Sequence, residues 1–279
     1  MKPVSNGDGP GPLRRTLREA AVDARLDDFF AEVARAPHPV LMLDYDGTLA
    51  PFRIDPQNAM PYPGVCELLD AIGMQTGTRL AIISGRWLRD LLGLLRLRRL
   101  PELWGTHGRE HFPPGGPYRF VEPAAGAYAA LFRADTWEPD IRAAGGRVER
   151  KPASLAIHWR GLSVSRVERI RALVQERWHE IGADGGIERR DFDGGIEVLA
   201  SGISKATAVN AILAQAGGAP AAYLGDDRTD EDALRTIRGR GIGVLVAESR
   251  RDSAADAWVQ PPQGVRDFLG RWLDASRRG

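Results

Sequence analysis

Leu41-Met42-Leu43-Asp44-Tyr45-Asp46-Gly47-Thr48-Leu49 is an apolar run that ends abruptly in two carboxylates, a glycine and a hydroxyl. An apolar segment of this length, entered through Pro39-Val40, predicts a strand buried on both faces, as in the parallel sheet of an α/β domain. Its carboxyl end presents Asp44 and Asp46, and side chains two apart on an extended strand point the same way. Both carboxylates therefore reach one small volume, in the crevice where open α/β sheets bind ligands.

The pattern repeats outward from this strand. Arg79 to Ile83 reads as a second buried strand, ending in Ser84-Gly85-Arg86 ahead of a helix led by Trp87 to Leu92. Leu103 to Thr106 predicts a short third strand before His107-Gly108-Arg109-Glu110. Strands that deliver a hydroxyl or carboxylate and then give way to a helix are βα units of a doubly wound sheet. Ala50 to Tyr62 forms a proline-rich loop over the first strand end, and Pro63 opens a helix.

At Pro113-Pro114-Gly115-Gly116-Pro117 the texture changes. The region beyond it predicts a helix near Gly126 to Ala144, strands near Arg147 to Arg150 and Ser154 to Trp159, a helix from Val164 to Ile181 and a strand near Ile187 to Phe192, an α+β insertion with a small antiparallel sheet. The α/β texture resumes after Asp193-Gly194-Gly195: a strand at Ile196 to Leu199, a helix from Lys205 to Gln215, a strand at Ala221 to Leu224 and Gly225-Asp226-Asp227-Arg228-Thr229-Asp230-Glu231-Asp232, with Thr229 as the N-cap of the next helix. A strand at Gly241 to Val246 and a helix at Val265 to Leu273 close the chain. The expected organisation is a disordered start and leading helix over 1–36, a core of 37–112 and 195–279, and an inserted cap of 113–194.

Composition narrows the function. Lys and Arg number 38 against 37 Asp and Glu, so no global field points to nucleic acid or an anionic membrane. No apolar run reaches the roughly 18 residues of a membrane span, and the polar first residues do not read as a secretory signal. One cysteine, Cys66, excludes an internal disulfide. A cytoplasmic protein is expected. No Gly-x-x-x-x-Gly-Lys-Ser/Thr phosphate loop and no paired cysteines for zinc are present.

The strand ends instead assemble parts for phosphoryl transfer: a carboxylate nucleophile able to form an aspartyl-phosphate, a second carboxylate as acid and base, and acids able to hold an oxygen-ligated Mg²⁺. Three acids close together crowd unfavourably without a cation. Asp44-Tyr45-Asp46-Gly47-Thr48, Ser84, Lys205 and Asp226 resemble, in order and spacing, the four motifs of the haloacid dehalogenase (HAD) superfamily. Leu43 to Pro51, Ser84-Gly85-Arg86, His107 to Glu110, Lys151 to Arg160 and Gly225 to Asp232 are similar to the trehalose-6-phosphate phosphatases within it.

The resemblance implies a HAD-like Rossmannoid core with an α+β cap, and hydrolysis of trehalose 6-phosphate. It implies Asp44 as nucleophile, Asp46 as acid/base, Thr48 and Ser84 on the phosphate or nucleophile, and Lys205 as charge balance. Mg²⁺ would be held by Asp44, the Asp46 carbonyl and Asp226, with Asp227 or Asp230 arranging its water shell. Ser154, His158 and Arg160 share one strand face and are expected on the sugar, as are Arg86, His107, Glu110, Lys151 and Glu197. Phosphatases of sucrose phosphate, glucosylglycerol phosphate or mannosyl-3-phosphoglycerate are the neighbouring alternatives, and a catalytically silent regulatory domain, as can arise beside a trehalose-6-phosphate synthase, is the alternative of another class. Association with such a synthase is left open.

Overall fold

The computed structural model describes residues 24–181 and 186–278. Among the described residues the strands form an eight-stranded sheet and a separate four-stranded sheet. At the centre of the large sheet lies β1 (Val40–Leu43), paired in parallel with β2 (Arg79–Ile83) on one side and β10 (Ala221–Gly225) on the other. Beyond β2 come β3 (Glu102–Gly105), parallel, and then β4 (Glu110–Phe112) and β5 (Arg119–Phe120), antiparallel; beyond β10 come β11 (Ile242–Val246) and β12 (Ala257–Val259), both parallel. Chain order runs outward in both directions from the β1/β10 pair, which makes that gap the switch point where such sheets bind ligands.

The side chains of β1 divide as an all-buried strand must. Leu41 and Leu43 pack into one core with a helix formed by residues 24–33 (α1), α2 (Val65–Gln75), α3 (Leu88–Leu94) and α9 (Gln263–Ser276). Val40 and Met42 face the opposite layer, built on α7 (Lys205–Gln215) and α8 (Glu231–Ile237). Trp272 of α9, fully buried, packs against Phe29, Phe30 and Phe268 and donates its Nε1–H to Thr78 Oγ1 at 3.1 Å.

The cap has its own core. Apolar faces of α4 (Ala125–Asp135), α5 (Glu138–Ala143) and α6 (Val164–Ile181) cover one side of the small sheet through Val148, Leu155, Ile157, Ile196 and Val198. Alternation turns the other face of β6 (Arg147–Lys151), β7 (Ser154–His158) and β9 (Gly195–Ala200) away from these helices. The expected split of Leu155, Ile157 and Trp159 from Ser154, Ala156 and His158 is the observed one, with the first three in the cap core.

Several boundaries differ from the sequence reading. The segment 195–200, assigned to the returning core, is β9 and lies inside the small sheet between β7 and β8 (Ile187–Phe192). The Asp193-Gly194 turn joins a hairpin within the cap, so the cap extends past Ala200; an apolar strand pattern does not say which sheet it will join. Conversely β5, placed in the cap, continues the core sheet. The helix expected over Gly126 to Ala144 breaks at Thr136-Trp137 into α4 and α5. Pro63 precedes rather than opens α2, whose N-cap is Gly64 with φ 86°. Thr229 lies inside a 3₁₀ turn, Arg228–Asp230, capped by Asp227, and Asp230 is the residue that precedes α8. The expected disordered start and the first part of the leading helix fall outside the described residues. Among the described residues no helix is long and apolar enough to cross a membrane.

Trp272 is the largest fully buried side chain, so Trp272→Ala is expected to cost about 3–5 kcal/mol of core stability. Urea unfolding followed by far-UV circular dichroism measures it, and a midpoint unchanged from wild type would refute the packing role.

Candidate active site

The carboxyl ends of β1, β2 and β10 deliver Asp44, Ser84 and Asp226 to one cleft between core and cap. Asp44 is 3 % exposed and anchored through its backbone N–H on Leu224 O at 2.9 Å. Lys205, the first residue of α7, donates from Nζ to Asp44 Oδ1 at 2.6 Å and to Asp230 Oδ1 at 2.8 Å. Asp230 also accepts from the Tyr223 hydroxyl and, at 3.1 Å, from the Asp227 N–H. Every oxygen of Asp230 is thus committed, and its effect is to aim Lys205.

Two negative charges and one positive charge are buried here, and Asp226 adds a third acid. Burial, then the charge of Asp230, push Asp44 up to about 7 despite Lys205. Burial, with Asp44 and Asp230 next, holds Asp226 well above the usual carboxylate range. Burial alone would lower Lys205, but Asp230 and Asp44 outweigh it and keep the ammonium above its ordinary range. The acids stand in a field that favours a cation.

Asp44, Asp226 and Asp230 each offer a carboxylate oxygen within 4.8 Å of the others, and Asp226 Oδ1 is buried with no hydrogen-bond partner. Gly47, at φ 82°, makes room for this: a Cβ there would lie 2.1 Å from Asp226 Oδ2. An all-oxygen, anionic donor set with an orphaned oxygen fits a hard divalent cation such as Mg²⁺. Asp227 lies toward the mouth of the cleft, accepting from Arg228 N–H and from Asp193 N–H of the cap.

Asp46 also faces the cleft, with both oxygens held at 2.6 Å by the Arg86 guanidinium. Ser84 lines the cleft and accepts the Arg86 N–H at 3.1 Å. Thr48 is fully buried, its hydroxyl without a partner, and it does not line the cleft.

From the cap, Lys151 Nζ reaches across to Gly85 O and to Glu197 Oε1, both at 2.9 Å. His107 Nε2 meets Glu197 Oε2 at 2.8 Å, and burial lowers His107 below its ordinary range, so the neutral ring donates from Nε2 and leaves Nδ1 buried and unpartnered. Burial would raise Glu197, but Lys151 and His107 hold its carboxyl well below the usual range. The ring is carried there by an irregular turn in which Thr106 and His107 have φ of 45° and 56°, a conformation side chains rarely adopt outside sites that require it.

Two expected sugar contacts do other work. Glu110 is 1 % exposed and accepts from Thr106 Oγ1, the Leu88 N–H at the start of α3 and Tyr118. It caps a helix from outside and lies away from the cleft. Ser154 donates to Glu197 Oε1 at 2.5 Å and orients that carboxylate rather than lining the cleft. Arg86, His107, Lys151, His158, Arg160 and Glu197 do line it.

Sequence reasoning passed over Glu149, Phe52 and Phe192, which also form the walls. The signal for Glu149 was available, since it stands two residues before Lys151 on the same strand face. Its partner in β7 is Ala156, whose partner in β9 is Glu197, so one row across three strands reads Glu149, Ala156, Glu197. Strand spacing sets the two acid-bearing backbones about 10 Å apart with only a methyl between them. His158 Nε2 meets Glu149 Oε2 at 2.7 Å; burial raises the Glu149 carboxyl, but His158 and Lys151 more than offset this and hold it at about 2. At the mouth, Arg160 lies over the Phe52 ring with its guanidinium 4.8 Å from the centroid and binds Asp193 Oδ2 at 2.8 Å, so the cap is closed on the core.

A family model described as trehalose-phosphatase matches residues 42–260. A trehalose-phosphate phosphatase of Mycobacterium marinum is 32% identical over 252 residues, covering 84% of this chain and 61% of that protein. A Mycobacterium tuberculosis protein described as an uncharacterized glycosyl hydrolase is 30% identical over 245 residues, 84% of this chain and 18% of its own length. The chain thus spans less than two thirds of these relatives. Among solved structures, the C-terminal domain of a C. albicans trehalose-6-phosphate phosphatase superposes with a TM-score of 0.75 at 20% identity, covering 88% of this chain and 95% of that one. A haloacid dehalogenase-like hydrolase from B. subtilis gives 0.58 at 14%, covering 83% and 99%; both establish the fold. The family match runs from β1 past β12, through core and cap alike, and the chain belongs to the trehalose-phosphatase family.

Proposed function

We propose that the chain is a Mg²⁺-dependent phosphatase that hydrolyses trehalose 6-phosphate to trehalose and phosphate through an aspartyl-phosphate. The observation that carries this reading is the buried Asp44, held by Lys205 at 2.6 Å beside the orphaned oxygen of Asp226. Lys205 takes one oxygen of Asp44 and leaves the other to attack phosphorus. As the P–O bond to the sugar breaks, the leaving oxygen takes a proton from Asp46. Water then attacks the phosphorus of the acyl phosphate, its proton passes to Asp46, and the Asp44 carboxylate is released. Because Arg86 occupies both oxygens of Asp46, the pair opens for each proton transfer. Asp44 and Asp226 would hold the metal, with Asp230 within reach, and the ion would offset charge on the phosphoryl oxygens. Ser84, which lines the cleft, hydrogen-bonds the phosphate in this reading.

The cap end of the cleft favours an uncharged polyhydroxylated leaving group. Glu149 and Glu197 are ionised acceptors in one row of the cap sheet, and Lys151 and His107 are donors already balanced against them. Sugar hydroxyls donate and accept, so they fit this set. The carboxylate of a glycerate would meet two carboxylates. This supports trehalose 6-phosphate over mannosyl-3-phosphoglycerate, and the closed cap excludes water during transfer.

Asp44→Asn is expected to lower phosphate release by about 10³-fold or more; retention of turnover would remove Asp44 as the nucleophile, and no release by the wild type would show the chain to be a silent regulatory domain. EDTA should abolish activity and Mg²⁺ restore it, and Mg²⁺ alone should raise the melting temperature by binding the folded state. Activity and melting indifferent to chelation would remove the metal. Across a panel of sugar phosphates, kcat/KM for trehalose 6-phosphate should lead by at least about tenfold. Equal turnover of sucrose phosphate or glucosylglycerol phosphate would reassign the substrate.

A further inference from the structure

One row of the cap sheet combines polar and apolar recognition in a way that the catalytic reading does not use. In register, Arg147 of β6 lies opposite His158 of β7, His158 opposite Gly195 of β9, and Gly195 opposite Phe192 of β8. Gly195 leaves a gap in this row: a Cβ there would lie 2.0 Å from Phe192 Cζ. The Phe192 ring fills the gap and meets the His158 ring edge-to-face, with centroids 5.3 Å apart at 66°. On its other side His158 crosses diagonally to Glu149, its Nε2 2.7 Å from Glu149 Oε2. His158, Phe192 and Glu149 all line the cleft.

A carbohydrate ring has hydroxyls at its edge and a face of C–H groups. A site for it pairs a fixed acceptor with an apolar surface, and its affinity depends on both being ordered before the ligand arrives. Glu149 is a flexible side chain on a strand, and a carboxylate that must find its orientation on binding costs affinity. His158 removes that freedom by occupying one carboxylate oxygen and leaving the other for a sugar hydroxyl. The same imidazole backs the Phe192 ring, so one residue couples the acceptor to the aromatic wall.

We propose that His158 is a positioning residue for the sugar end of the cleft: it holds Glu149 and Phe192 in one arrangement and thereby sets affinity for the disaccharide, without touching the reacting phosphoryl group. This deepens the reading of the chain as a trehalose 6-phosphate phosphatase and rests on it. The role is separable from catalysis because Asp44, Asp46, Lys205 and Asp226 make no hydrogen bond to His158 or Glu149.

The test is steady-state kinetics with trehalose 6-phosphate and with p-nitrophenyl phosphate, which has the phosphoryl group but no sugar. His158→Asn, too short to reach Glu149, should raise KM for trehalose 6-phosphate about tenfold, the worth of one hydrogen bond to a charged group, with kcat within about twofold. His158→Gln, whose longer amide can donate toward Glu149, should recover most of that loss. Glu149→Gln should raise KM, and the His158→Asn/Glu149→Gln pair should be no weaker than Glu149→Gln alone, because the two residues act through one contact. p-Nitrophenyl phosphate turnover should fall far less in the His158 variants than kcat/KM for trehalose 6-phosphate, with melting temperatures confirming the fold. An unchanged KM in His158→Asn, multiplying losses in the double variant, or an equal loss with p-nitrophenyl phosphate would overturn the positioning role. Wild-type failure to turn over trehalose 6-phosphate, with p-nitrophenyl phosphate still hydrolysed, would instead overturn the substrate reading.

Discussion

The Lys205 ammonium, buried between Asp44 and Asp230, is the contact on which the rest of the structure depends. Desolvating three charges costs several kcal/mol each before any attraction is counted, and removing one partner of such a set costs about 3–5 kcal/mol. The fold meets that cost with further donors, since Tyr223 and the Asp227 N–H complete the shell of Asp230. What the fold does not neutralise is the excess negative charge of Asp44 and Asp226. That excess fits the proposed reading, in which a divalent cation would offset the carboxylates and, with them, the anionic phosphoryl oxygens.

The cap is tied to this centre by a second set of contacts, two of them made by residues that line the cleft. Lys151 bonds the Gly85 carbonyl of the core turn, Glu197 meets His107, and Arg109 donates to the carbonyls of Ala200 and Ser201 where the chain leaves the cap. In the proposed reading the side chains that would recognise the sugar also hold the cap against the core, so a bound sugar and a closed cap would stabilise the same geometry. At the mouth, Arg160, Phe52 and the Asp193–Asp227 contact make a second closure. Closure thereby reaches from the sugar subsite to the neighbour of Asp226.

Local chemistry and period made much of this legible in the one-dimensional chain. A buried strand cannot end in Asp44 and Asp46 without a reason, and the same signature at Ser84 and Asp226 marked the rim of one crevice. The misreadings share a physical cause. Glu110 and Ser154 carry the right atoms at plausible spacings, but a carboxylate or hydroxyl serves a helix end or another side chain as readily as a ligand, and only packing decides. The 195–200 strand was assigned to the wrong sheet because its apolar alternation suits either, and pairing across β7 and β8 is a long-range choice.

By itself, the sequence determined the βα succession, the inserted cap and the polar strand ends at Asp44, Ser84 and Asp226, because hydrophobic period and turn chemistry are properties of neighbours along the chain. Tertiary structure alone decided that Arg86 clamps Asp46, that Asp230 serves Lys205, that Glu149 and Glu197 stand in one row across Ala156, and that His158 joins Glu149 to Phe192. Those contacts join residues from different elements, and their partners are set by strand register, crossing and burial rather than by any local preference.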